Sequence, residues 1–66
     1  MMRTYRIVRM YQDPQWRSRT IRRGLTLDEA QTHCSDPETS SRTCTNPGGK
    51  RRTLARGPWF DAYEEE

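Results

Sequence analysis

The last ten residues of the chain, GPWFDAYEEE (57–66), contain three of its six aromatic side chains and four of its nine acidic ones. Burial of one large apolar side chain stabilises a fold by roughly 1.5–3 kcal/mol, and the rest of the chain is short of such residues. We therefore predict that residues 57–63 form a strand that closes a small core, anchored by Trp59 and Phe60. Residues 64–66 should then form a short acidic end.

Length and composition limit the chain to one small domain. Its 66 residues are only 30% hydrophobic, so the core is thin and the fold is marginal without a staple or a partner. Low hydrophobicity combined with high charge also characterises disordered chains. The local signals described below favour partial order, with a single domain over residues 1–66 and a polar loop over 36–52 whose order the sequence leaves open.

Alternating residue types predict two strands near the N-terminus. In residues 4–12, Tyr5, Ile7 and Tyr11 share one face of a first strand, and Ile7 is the candidate core anchor. Residues 13–15, Asp-Pro-Gln, are typical of a turn. Residues 16–23 then form a second strand, antiparallel to the first.

A capping box predicts a helix directly after the second strand. Thr26 can accept from the backbone of Glu29, whose side chain reaches back to the Thr26 amide. Leu27 begins the helix face that should pack on the sheet and is a candidate core anchor. The helix should end near Ser35 because Pro37 disfavours a helical residue before it.

Residues 36–52 contain almost no apolar side chain and include Asn-Pro-Gly-Gly at 46–49, a strong turn signal. We predict a long loop there, followed by the closing strand. The fold class is then α+β, in the order β-β-α-loop-β. Its small antiparallel sheet consists of a β-hairpin plus the C-terminal strand, and one short helix packs on it.

Three stretches of the chain carry a resemblance to known proteins. They are YRIVRMY (5–11), RTIRRGLTLDEAQTHCSDPETSSRT (19–43) and GPWFDAYEEE (57–66). Together they cover most of the chain, which resembles a family of very small proteins encoded by actinobacterial phages and prophages. That family has no established biochemical activity. The resemblance implies a phage gene expressed in a bacterial host and assigns no catalytic or binding residue.

The basic side chains indicate how the chain could recognise a partner. Residues 1–56 carry a net charge of +7 and residues 57–66 carry −4. Cationic side chains bind phosphates and nearby aromatic rings can stack on bases, although arginines can also simply solvate the outer face of a sheet. The candidate contacts with a nucleic acid or partner protein are Arg17, Arg19, Arg22, Arg23, Lys50, Arg51, Arg52 and Arg56.

His33, Cys34 and Cys44 are the residues that could carry metal or redox chemistry. With Asp36 as a fourth ligand they could bind zinc, but the paired Cys spacing of a zinc knuckle is missing. The two cysteines could instead form a disulfide, or stay reduced in the cytosol. The sequence leaves these three states open, and we predict no cofactor, no metal and no catalytic residue.

Two functional hypotheses follow from these patterns. The first is a small phage-derived accessory protein that binds and modulates a host or phage protein without catalysis. The second is a DNA- or RNA-binding protein that uses an arginine-rich sheet face. No apolar run exceeds three residues, so we expect no membrane partner and a location in the cytoplasm of the bacterial host. We also expect no small-molecule substrate.

Overall fold

The computed structural model describes residues 3–66 as a three-stranded antiparallel sheet with two short α-helices inserted before the last strand. The sheet order is β2-β1-β3, so β1 is central. This confirms the α+β class. No helix within residues 3–66 is long and apolar enough to cross a membrane. The elements are β1 (Tyr5–Tyr11), β2 (Arg19–Leu25), α1 (Leu27–Ser35), a 3₁₀ turn (Pro37–Thr39), α2 (Pro47–Arg56) and β3 (Trp59–Glu65).

The two pairings of β1 differ in regularity. β1 and β3 pair without interruption from Tyr5 opposite Glu65 to Tyr11 opposite Trp59. The β1–β2 pairing contains two irregularities, and Gly24 in this part of β2 has φ 68°, a conformation that favours glycine.

These irregularities determine which face of the sheet the β2 arginines occupy, and they bear on the arginine-rich sheet face predicted above. Strict alternation would have placed Arg17, Arg19 and Arg23 on one face. Instead Arg22 lies opposite Ile7, and Arg19 lies opposite Arg9. Arg19 and Arg22 are three residues apart, so strict alternation would have directed them to opposite faces. Because Ile7 and Arg9 share a face of β1, Arg19 and Arg22 come to that same face, and no continuous arginine row forms.

The connection between β1 and β2 is longer than predicted. The Asp13 carboxylate accepts from the Gln15 backbone, as expected for the turn. The Trp16 backbone N–H then donates to the Asp13 carbonyl, which keeps Trp16 in the turn. β2 therefore begins at Arg19 and not at residue 16.

Helix α1 begins and ends where the sequence predicts. The Glu29 N–H donates to Thr26 Oγ1 and the Thr26 N–H donates to the Glu29 carboxylate, so the capping box is complete. Leu27, however, is not a core anchor, because its side chain is 41% exposed. The small side chain of Ala30 is the buried contact of α1 with the sheet, and Leu25 takes the core position next to it.

The core is small and lies on the helix side of the sheet. Ile7 and Trp59 are buried there, as predicted for both, whereas Phe60 is 49% exposed. Consecutive residues of a strand point to opposite faces, so a buried Trp59 directs Phe60 to the other side of the sheet. The prediction of Phe60 as a core anchor is therefore wrong.

The segment 36–52, predicted as a loop, contains the 3₁₀ turn and the first part of α2. The Glu38 carboxylate accepts from the backbone N–H groups of Thr45 and Asn46, each within 2.9 Å. Asn46 in turn accepts from the Gly49 N–H and caps α2. Gly57, with φ 79°, ends the helix. Hydrogen bonds and caps thus replace the apolar contacts that the segment lacks.

The acidic end belongs to the sheet. β3 extends through Glu65, and the Glu66 N–H donates to the Thr4 carbonyl. The Glu66 carboxylate accepts from the Gly24 N–H and the Thr4 hydroxyl, while Glu64 pairs with Arg6. Residues 64–66 are therefore not a separate tail.

We expect Trp59→Ala to unfold the domain. Truncation of a buried tryptophan removes about 3–5 kcal/mol of stability, which is comparable with the whole stability of a small domain. Urea unfolding followed by circular dichroism at matched protein concentration measures the effect. Leu54→Ala is the control, because Leu54 is 87% exposed and its truncation should change stability by less than about 0.5 kcal/mol. A Trp59→Ala protein with a native melt would contradict this role.

Helix α2 should be acid-sensitive through Glu38. Hydrogen bonds from the backbones of Asn46 and Thr45 lower the pKa of Glu38. Its contribution to stability is therefore complete above the ordinary glutamate pKa and is lost as the pH falls through the lowered folded-state pKa. Hydrogen exchange should show that protection factors of residues 47–56 fall on acidification before those of β1.

Glu38→Gln should abolish this pH dependence in α2. Glu29→Gln is the matched control, because the pKa of Glu29 is lowered by its hydrogen bonds with Thr26 at the start of α1. That variant should alter α1 and leave the acid response of α2 unchanged. Persistence of the α2 response in Glu38→Gln would show that another group controls it.

Candidate functional site

A cleft between α2 and the helix side of the sheet gathers five arginine side chains. We call it the arginine cleft. Its volume is about 350 Å³, and it is lined by Arg9, Tyr11, Arg19, Gly48, Arg51, Arg52, Ala55 and Arg56. Arg9 and Arg19 come from paired positions of β1 and β2, and the other three guanidinium groups come from α2.

The packing of α2 on the body positions this cleft. Its least exposed residues are Gly49, Arg52, Thr53 and Arg56, a helical spacing of three and four that contains no large apolar side chain. A Cβ at Gly49 would lie 3.0 Å from Cys44 Sγ, so glycine permits the first turn of α2 to lie close to the segment that precedes it. Trp59 Nε1 donates to Thr53 Oγ1 at 3.0 Å.

Aromatic rings contact three of the five guanidinium groups of the cleft, those of Arg9, Arg52 and Arg56. Those of Arg9 and Arg52 lie 5.0 and 4.7 Å from the centre of the Trp59 ring. Arg56 lies 4.8 Å from the Trp16 ring, and its Nη1 donates to the Tyr11 hydroxyl at 3.2 Å. Such contacts are attractive and restrict the arginine rotamers, so these cations are fixed before any ligand arrives.

The buried carboxylate of Asp61 neutralises Arg9, one of the five arginines of the cleft. The Asp61 side chain is 0% exposed and accepts from Arg9 Nε at 2.8 Å and Nη2 at 3.1 Å. His33 Nε2 lies 3.0 Å from Asp61 Oδ2, the same oxygen that accepts from Arg9 Nη2. Among residues 3–66, the arginines that pair with an acid are Arg3, Arg6 and Arg9. The other four arginines of the cleft therefore have no acidic partner within the described part of the chain.

The eight predicted contact residues are divided between the cleft and other surfaces. Arg19, Arg51, Arg52 and Arg56 line the cleft. Arg22 lines a separate depression beside α1, together with Asp28, Glu29 and Asp36. Arg17, Arg23 and Lys50 are exposed outside both. The structure thus brings half of the predicted set together.

Arg9 lines the cleft although it was not among the eight predicted contact residues. Of the aromatic rings near the arginines, those of Tyr11 and Trp16 both contact Arg56. Arg9 follows Ile7 by two positions, so the alternation of β1 could have placed it on the core side of the sheet, where a charge needs a partner.

The His33–Cys34 region does not form an activated thiol. Burial, and secondarily the charge of Asp61, raise the pKa of Cys34, so the thiol stays protonated at neutral pH. Cys34 and Cys44 are both free. Within residues 3–66 no group of three or more His, Cys, Asp or Glu side chains is arranged to hold a metal ion. Cys34 packs against the core instead.

Comparison with known proteins gives this site no precedent. No protein-family model, curated protein or solved structure matches the chain. The chemistry of the arginine cleft therefore has to be inferred from its geometry and charge.

Proposed function

We propose that the protein binds the phosphate backbone of a nucleic acid in the arginine cleft. The observation that carries this proposal is the convergence of Arg19, Arg51, Arg52 and Arg56 in one open cleft without an acidic partner among residues 3–66. Like charges repel, so four such cations gathered in one place favour a polyanionic ligand.

Arginine suits this ligand because its planar guanidinium presents several N–H donors to phosphate oxygens. The guanidinium groups of Arg52 and Arg56 lie over the rings of Trp59 and Trp16 and also line the cleft, where their N–H groups can donate to a phosphate. The rings of Tyr11 and Trp16 are engaged by Arg56. The site therefore favours contacts with the backbone, which carry little sequence information.

The charge distribution of the fold supports an oriented approach. The cleft lies at the end of the sheet where Tyr11 pairs with Trp59, and residues 64–66 lie at the other end, where Tyr5 pairs with Glu65. At that other end the carboxylates of Glu64 and Glu65 pair with Arg6 and Arg3, whereas the cleft arginines other than Arg9 have no acidic partner among residues 3–66, so a polyanion is attracted toward the cleft end.

Binding to a host or phage protein is the second candidate. It is favoured by the apolar side chains that the sheet leaves exposed on the side away from the helices, Met10 and Phe60 among them. A phage origin, action in the bacterial cytosol and the lack of catalysis belong to both proposals.

The salt dependence of binding tests the nucleic-acid proposal. Fluorescence anisotropy with a labelled mixed-sequence DNA duplex, and with a single-stranded RNA, should show affinity that falls steeply as salt rises. The double variant Arg19→Gln, Arg51→Gln removes two guanidinium groups without disturbing the ring contacts. On duplex DNA it should reduce the slope of log K against log salt by about 0.9 for each phosphate that the variant no longer neutralises.

The matched control is the double variant Arg22→Gln, Arg23→Gln. It removes the same total charge from outside the cleft, so it should leave the slope close to that of the wild type. Equal reductions of the slope in the two double variants would indicate a diffuse charge effect and no defined site. The absence of binding to either nucleic acid at low salt would refute the proposal and leave the protein-binding candidate.

A further inference from the structure

The side of the sheet away from the helices carries no covering element among residues 3–66. We call it the open face. β1 and β3 supply its side chains in three cross-strand pairs, which are Arg6 with Glu64, Val8 with Ala62 and Met10 with Phe60, and Thr20 of β2 lies opposite Val8. None of these residues is buried, whereas their neighbours Ile7, Trp59 and Asp61 are.

The open face has the composition of an interface and not of a solvated surface. Its middle and one end are apolar, through Val8, Met10, Phe60 and Ala62. Arg6 and Glu64 pair with each other at the other end, so the cross-strand pairs carry no net charge. A chain of net charge +3 can therefore approach a copy of itself here without the repulsion that the arginine cleft would cause.

The chain exposes more surface than an average folded monomer of its mass. A folded monomer of 7.9 kDa should expose about 4,400 Å², whereas this chain exposes 5027 Å². The excess, summed over the whole surface, is about 600 Å² per chain, and an interface that covers this much on each of two chains reaches the lower limit of standard stable interfaces, about 1,200 Å² in total. Stacking of two sheets about 10 Å apart is the usual way to cover such faces.

We propose that two copies of the chain dimerise through their open faces, as a two-fold symmetric sheet sandwich. Each copy then covers Val8, Met10, Phe60 and Ala62 of the other. Because the arginine clefts lie on the helix side, a dimer carries them on its two outer surfaces. This proposal does not depend on the ligand of the cleft, and it holds whether or not a nucleic acid binds there.

Sedimentation equilibrium of the full chain tests the proposal without any substitution. The mass should rise with concentration toward twice 7.9 kDa. Over the same concentration series, NMR amide shifts should change at Val8, Met10, Phe60 and Ala62 and stay constant along α2. A mass that remains that of one chain, or shifts confined to α2, would overturn the proposal.

Phe60→Glu should abolish dimerisation, because it places an unpaired charge in the interface of each copy. Leu54→Glu is the matched control, because Leu54 is also an exposed apolar residue but lies on α2. The mass of the Leu54→Glu protein in sedimentation equilibrium should equal that of the wild type. Circular dichroism verifies the fold of both variants, and Met10→Glu replaces Phe60→Glu if the latter is unfolded. Dimers that persist in a folded open-face variant would contradict the proposed interface, as would a wild-type monomer that binds only a different protein.

Discussion

The burial of Trp59 is the interaction on which the rest of the structure depends. Its backbone exchanges hydrogen bonds with Ser41, its indole N–H holds Thr53 of α2, and its ring faces the guanidinium groups of Arg9 and Arg52. Helix α2 has no apolar stripe and is too short to be stable alone. Without this ring α2 would lose its contacts through Thr53 and Arg52. Because α2 forms one wall of the arginine cleft, the cleft would then be lost as well.

Local signals in the sequence were sufficient to predict much of the fold. The Thr26–Glu29 capping box and Pro37 defined α1, because caps act through neighbouring backbone groups and need no tertiary information. The alternation of β1 identified Ile7 as buried, and the scarcity of large apolar residues pointed to Trp59. The exposure of Leu27 and Phe60 depended on which face of each element the core occupies, and this was decided by the small Ala30 and by Trp59.

The candidate site was less predictable, because it depends on contacts distant in sequence. Two irregularities moved Arg19 and Arg22 to the same face, and no periodic pattern in residues 16–23 signals them. Helix α2 packs through arginines on rings, which a search for apolar periodicity does not detect. Its boundaries did leave a signal, with Asn46 before Pro47 at the start and Gly57 after Arg56 at the end. These caps would have indicated that residues 47–56 are helical.

Ligand binding in the arginine cleft is tested most directly by observing the arginine side chains themselves. A DNA duplex titrated into isotope-labelled protein at low salt should shift the Nε–Hε NMR signals of Arg19, Arg51, Arg52 and Arg56, which face the cleft. The signal of Arg6, which is paired with Glu64 on the other side of the sheet, should stay constant. Shifts confined to arginines outside the cleft, or the absence of any shift, would contradict the assignment of the cleft as the site of phosphate recognition.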